Sequence, residues 1–309
     1  MITKAAESKT NFAKNLVFTR NARSAWGHLL RGVKGATAPS VLLPSYIGIT
    51  DREGSGVFDP ISETASTYAF YKLDGQLRID LDDFARCLQT GNLDVVLVIH
   101  YFGFCRNDMD HVSKICAAHG VLLVEDCAHA LQRGILDRGL GSFGEYSFYS
   151  LHKYMATDSG GVLKINSDRV RLPQLPSEDG ISLDSMGQYI KTNFSEVANA
   201  RIDNFKAYLK YLPVLDEVKV MYELGEGEVP YSFPVRIKGG MREKLYFHLN
   251  NRGIPVTALY YRLIEEIKED LFPVSYDLSR EILNFPVHQD ITPVDVEVIC
   301  SVVDEFYRT

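Results

Sequence analysis

The stretch VVLVIHYFGFCRNDMDHVSKICAAHGVLLVED, residues 95–126, decides the fold. Its first five residues, Val95-Val96-Leu97-Val98-Ile99, contain no polar position and read as a strand buried on both faces. Residues 108–120 read as a helix that opens at an Asp and is stopped by Gly120. Residues 121–124 then form the next parallel strand, and Glu125-Asp126 follow at its carboxyl end. Open α/β sheets bind their ligands at that end, so the unit predicts both an architecture and the place to look for chemistry.

Outward from this unit, short apolar runs alternate with helical stretches over about residues 40–165, the pattern of an α/β domain with a mostly parallel sheet. Residues 166–184, rich in Pro, Ser and charge, read as a boundary. Apolar positions from Ile190 to Leu212 recur at helical spacing, which predicts one long connecting helix over 185–212. A smaller α+β unit follows over 213–309, with strands at 231–237 and 254–258, a helix at 240–251 and a last helix at 293–307 capped by Thr292. The large domain is thereby assigned to residues 1–184.

Composition narrows the class. Of 309 residues, 46% are hydrophobic and 24% charged, which fits a globular protein. A net charge of −7 without a basic cluster argues against nucleic acid as a partner. Five cysteines without a CxxC pair imply reduced thiols, with neither a disulfide framework nor a zinc site. The first residues lack an apolar signal segment and no window matches a membrane span, so the expected location is cytoplasmic and membrane association is not expected. On that reading Asn193-Phe194-Ser195 is a chance sequon.

Residues 139–144, Gly-Leu-Gly-Ser-Phe-Gly, spell a literal GxGxxG. A dinucleotide site needs a strand before it and a helix after it. Here a turn-rich connection (132–138) precedes and strand-like residues (145–149) follow, so the nicotinamide reading is set aside. More informative is the collection of Asp126, His129 and Lys153 between residues 121 and 161, with Lys153 in a Ser-Leu-His-Lys run closed by Gly160-Gly161. A carboxylate that keeps a pyridine nitrogen protonated and an amine that forms a Schiff base are what a pyridoxal phosphate enzyme requires. The residues alone leave plainer roles open: Asp126 capping a turn, Lys153 a solvated lysine.

The same segment resembles the DegT/StrS-type nucleotide-sugar aminotransferases, pyridoxal phosphate enzymes of fold type I. His100-Tyr101-Phe102-Gly103, Asp108-Met109-Asp110, Glu125-Asp126-Cys127-Ala128-His129-Ala130 and Gly141-Ser142-Phe143-Gly144 carry the resemblance, joined in the C-terminal part by 231–235, 252–256 and 278–287. It implies a three-layer large domain, a small C-terminal domain and a homodimer. It also implies a nucleotide-sugar substrate with an amino-acid donor, probed first as glutamate. Carried onto this sequence, Lys153 would bond the cofactor and shuttle a proton, and Asp126 would pair with the pyridinium nitrogen. His129 would contact the phenolic oxygen. Ala128 and Tyr46 would pack on the two ring faces. Arg23 and Ser24, entering a helix, would bind the phosphate together with Ser150 or Ser147. The family's serine five positions before the lysine is replaced by Phe148, and its Gly-x-Asn-x-Arg-Met segment is not recognisable. His152 beside the lysine motivates a second reading, a sugar dehydratase of the same family. A non-catalytic relative is the third.

Overall fold

The structure is a computed structural model and describes residues 15–33, 37–51, 56–130 and 139–308. In chain order the elements are β1 (Leu16–Thr19), α1 (Ala22–Gly32), β2 (Ser40–Pro44), α2 (Asp59–Glu63), β3 (Thr67–Tyr71), α3 (Leu81–Thr90), β4 (Val95–Ile99), α4 (Met109–Ala118), β5 (Leu122–Cys127), β6 (Tyr146–Ser150) and β7 (Gly161–Ile165). These are followed by α5 (Leu183–Lys191), α6 (Phe194–Tyr211), β8 (Val218–Val220), β9 (Ser232–Ile237), α7 (Arg242–Asn250), α8 (Pro273–Glu281), β10 (Ile282–Pro286) and α9 (Pro293–Arg308).

Seven strands make one sheet in the order β1-β7-β6-β5-β4-β2-β3, and β10-β9-β8 make a second. The five strands from β6 to β3 run parallel; β7 runs opposite to them, and β1 pairs antiparallel with β7 at the edge. Every residue of β4 and β5 is buried, as expected for strands covered on both faces. Asp108 caps α4 by accepting the His111 N–H, and Gly120 takes φ +70° just past its end, so the βαβ unit read from residues 95–126 is present. The small sheet is antiparallel and packs with α6 to α9 on the C-terminal side of the chain. Among the described residues no helix is long and apolar enough to cross a membrane.

Two expected elements differ. The single helix over 185–212 is two helices, because Thr192 turns to an extended conformation and the Asn193 side chain accepts the Glu196 N–H, starting α6 anew. Residues 254–258 do not form a strand: only Thr257 bridges to Asn284, and Pro255 has no N–H to contribute to a ladder. The expected boundary at 166–184 is held against the large sheet, since Asp179 accepts hydrogen bonds from Ser24 Oγ and Arg31 and its carbonyl from the Arg20 N–H. The turn-rich connection expected at 132–138 lies outside the described residues.

Candidate active site

The carboxyl ends of β4, β5 and β6 and the N-terminus of α1 enclose a cavity of about 280 Å³. Lys153 enters it from a single 3-10 turn after β6, and Asp126 from the last residues of β5. Gly161 makes this convergence possible. Any Cβ there would collide with the Asn21 backbone, so glycine lets β7 abut the start of α1.

Asp126 is fully buried and accepts the Ala128 N–H at 2.8 Å. Burial pushes its carboxyl up to about 6, although that N–H and the charges of Lys153 and His100 pull the other way. Burial likewise brings the Lys153 ammonium down to about 8, against the attraction of Asp126. The Lys153 Nζ lies 5.3 Å from the centre of the Tyr231 ring, and its backbone carbonyl is held by Arg201 Nη2 at 2.8 Å. His129 is stacked between Tyr231, at 4.4 Å, and Phe102, at 6.2 Å. Its Nδ1 accepts the Phe102 N–H, and burial followed by the Lys153 charge holds it neutral, so the remaining ring nitrogen, Nε2, carries the hydrogen.

At the other end of the cavity, Asn21, Ala22 and Arg23 bring the first turn of α1 to the wall, with Asn21 capping the helix through the Ser24 N–H. A helix N-terminus beside the Ser150 hydroxyl is a natural seat for a dianion. Arg23 adds a cation, itself paired with Asp59 at 2.9 Å.

Of the residues expected here, Lys153, Asp126, His129, Ala128, Ser150 and Arg23 line the cavity together. Three do not. The Ser147 hydroxyl donates to the Gly141 carbonyl on the opposite side of the sheet; in the β5–β6 register Asp126 stands beside Phe148, so Phe148 and Ser150 share its face and Ser147 cannot. The Ser24 hydroxyl is turned to Asp179. Tyr46 is wholly buried, its hydroxyl bonded to the Leu259 carbonyl, and it packs behind Tyr260, which takes the place at the wall expected of Tyr46. Asn21, Trp26, Thr50, His152 and Tyr260 were absent from the expected set. Asn21 had a legible signal, as the N-cap of an apolar helix; Tyr260 had none beyond its place after the 254–258 run.

The GxGxxG run has its own role. The N–H groups of Gly141, Phe143 and Gly144 converge on the Glu125 carboxylate, which also meets His100 Nε2 at 2.7 Å. The loop is an anion nest filled by the protein's own side chain.

The cavity therefore combines a desolvated carboxylate, an amine with depressed basicity, a neutral imidazole N–H and a phosphate-type seat. That donor set matches the groups of pyridoxal phosphate. Residues 61–209 match the sequence model of the DegT/DnrJ/EryC1/StrS aminotransferase family. Over that stretch, just under half of the chain, the sequence is similar to this family. Among curated relatives, it is 25% identical over 145 residues to the GDP-perosamine synthase of Vibrio cholerae, covering 46% of this chain and 37% of that enzyme. It is 24% identical over 267 residues to the dTDP-4-dehydro-2,3,6-trideoxy-D-glucose 4-aminotransferase of Saccharopolyspora spinosa, covering 74% and 68%. The first match thus spans little more than a third of that relative. The fold is also that of the aminotransferase TlmJ from Streptoalloteichus hindustanus, with TM-score 0.76 at 21% identity over 94% of this chain and 84% of that one. A sugar aminotransferase structure, Spr1654 from Streptococcus pneumoniae in its PLP form, gives TM-score 0.77 at 15% identity over 95% and 88%.

Proposed function

We propose that the protein is a pyridoxal phosphate-dependent aminotransferase that moves an amino group from an amino-acid donor, glutamate being the first to test, to a nucleotide-linked keto-sugar. The observation that carries this reading is the pairing of Asp126 with Lys153 in one cavity ahead of the α1 N-terminus. When bound, the cofactor supplies an aldehyde and an electron-accepting pyridine ring. The Asp126 carboxylate holds a proton on the ring nitrogen, an ion pair that relieves the desolvation this carboxylate otherwise suffers. Ser150, Arg23 and the first turn of α1 bind the phosphate, and Ala128 and the neutral His129 N–H fix the ring's position. Lys153, with a pKa of about 8, keeps a usable fraction of neutral amine near neutrality and would carry at Nζ the proton that passes between the substrate carbon and the cofactor carbon.

His152, the basis for a dehydratase, is exposed and turned to the Ser150 hydroxyl at 3.2 Å, while Lys153 is the residue that senses Asp126. A non-catalytic relative would keep two desolvated ionisable groups without a ligand to offset their cost. The family resemblance supports a homodimer as the working assembly.

An absorption spectrum taken after loading with pyridoxal phosphate and desalting tests the proposal. The expected result is a retained cofactor band that shifts when glutamate or another amino donor is added and that Lys153→Ala abolishes. Absence of any retained band in the wild-type protein would overturn it.

A further inference from the structure

Arg23 is the second residue of α1, and no acidic residue stands in that helix's first turn. A helix N-terminus favours negative charge, so a cation placed there works against the dipole unless an anion compensates it. One anion is present. Arg23 Nη1 lies 2.9 Å from one oxygen of Asp59, at the start of α2, and the other oxygen accepts the Thr50 hydroxyl at 2.8 Å. Arg23 and Thr50 line the Lys153 cavity whereas Asp59 does not, so the carboxylate holds the guanidinium from outside the cavity. A guanidinium carries five N–H groups in a planar fork, which leaves donors for a dianion inside.

Gly56, also at the cavity wall, governs where that fork can lie. A Cβ at this position would stand 2.3 Å from Arg23 Nε and 2.6 Å from Nη2, so the guanidinium rests across the glycine backbone. The φ of Gly56 lies outside the left-handed region, and the need for glycine here is therefore room and not backbone conformation. The segment is anchored. The Val57 carbonyl accepts Trp26 Nε1 at 3.2 Å, and Trp26 is wholly buried in the same helix that carries Arg23. The Arg23 side chain, by contrast, is 42% exposed. A side chain added at 56 would push the guanidinium into solvent, away from Asp59 and the cavity, before it moved the anchored backbone.

We propose that Gly56 is a positioning residue for the phosphate of the cofactor. It acts through Arg23, by leaving the space in which Asp59 and Thr50 hold the guanidinium at the cavity wall. The inference rests on the pyridoxal phosphate reading and extends it to a residue that makes no polar side-chain contact of its own.

Equilibrium dialysis of the full-length protein tests it, with pyridoxal phosphate and with pyridoxal, which lacks the phosphate. Gly56→Ala should weaken pyridoxal phosphate by about tenfold or more, the worth of a hydrogen bond to a charged group, and leave pyridoxal unchanged. The denaturation midpoint of the cofactor-free variant should equal or exceed that of wild type, because alanine at a compatible backbone restricts the unfolded chain. In an Arg23→Ala background the same substitution should add no further loss, since the two changes remove one interaction. Wild-type affinity in Gly56→Ala, an equal loss for pyridoxal, a lowered midpoint, or a second full loss in the Arg23→Ala background would each overturn the proposal. The last of these would mean that the new methyl group obstructs the cavity directly. If wild type binds pyridoxal phosphate while any of those outcomes is found, the cofactor reading stands and the role of Gly56 falls. If wild type binds no pyridoxal phosphate, the cofactor reading falls and this inference falls with it.

Discussion

Glu125 and Asp126 are consecutive residues of β5, equally buried, and opposite in behaviour. Glu125 faces the 139–144 loop, where three backbone N–H groups and His100 surround its oxygens. Burial alone would push its carboxyl up, yet the His100 hydrogen bond and charge and the loop N–H groups hold it below the usual carboxylate range. His100 is in turn raised to about 10: burial opposes its charge, but the neighbouring Cys105 thiol and Glu125, which meets Nε2, outweigh it. Asp126, on the other face, accepts the Ala128 N–H and is pushed up to about 6 by burial. Desolvation is common to both, so the supply of donors makes the difference. One side of the sheet is finished by the protein itself. The other is left electrostatically short, which is how a ligand site differs from a structural ion pair.

The strongest way to break this comparison is to neutralise each carboxylate in turn. Glu125→Gln strands a buried imidazolium and should cost roughly 3–5 kcal/mol of stability, seen as a large fall in the chemical denaturation midpoint. Asp126→Asn removes a carboxylate with little compensation, so the cofactor-free protein should be as stable as wild type or more so, while the donor-dependent shift of the cofactor band disappears. Equal stability losses for the two variants would show that the two faces are not different in kind.

The same contrast should appear in the pH dependence of the cofactor-free protein. A carboxyl raised from 3.8 to about 6 on folding binds more protons in the folded state across that window. Stability from Asp126 therefore falls as pH rises from about 4 to 6, by roughly 3 kcal/mol at about 1.4 kcal/mol per unit. Glu125 has the reverse sign, since its depressed pKa contributes stability above the unfolded value that is lost on acidification. Subtracting the stability curve of Asp126→Asn from that of wild type isolates the first effect. A flat difference between pH 4 and 6 would mean that Asp126 is already compensated and that the functional face is not short of donors.

The legibility of the sequence divides along a related line. The βαβ unit, Asp126 and Lys153 were readable because each depends on local pattern: an all-apolar strand, a capped helix, polar residues where a buried strand ends. The GxGxxG run was correctly denied a dinucleotide by its flanks, but its real ligand, Glu125, is fourteen or more residues away and visible only in three dimensions. Ser24 and Tyr46 failed for the same reason, since Asp179 and Leu259, which claim their hydroxyls, are distant in sequence. The break at Thr192-Asn193 was missed although Asn193 is a good N-cap, because the helical apolar period continues across it. Ser147 is a different case. Residues one apart in parity cannot share a face of β6, so the strand period of two could have excluded it once Phe148 and Ser150 were aligned with Asp126.

That last case gives the smallest of the tests. Ser150→Ala removes a hydroxyl from the wall of the active cavity beside the α1 N-terminus, and a hydrogen bond to a charged phosphate is worth about 1.5–3 kcal/mol, so cofactor should dissociate at least about tenfold more readily. Ser147→Ala removes a hydroxyl that donates to the Gly141 carbonyl, which Asn166 Nδ2 also serves at 2.9 Å. With one donor left on that carbonyl, stability should fall by no more than about 1 kcal/mol and cofactor affinity should not move. Equilibrium dialysis of pyridoxal phosphate against both variants separates the two serines. If Ser147→Ala were the one that loosened the cofactor, the assignment of the Phe148 face of β6 to the active side would be wrong, and with it the division of β5 into a finished face and an open one.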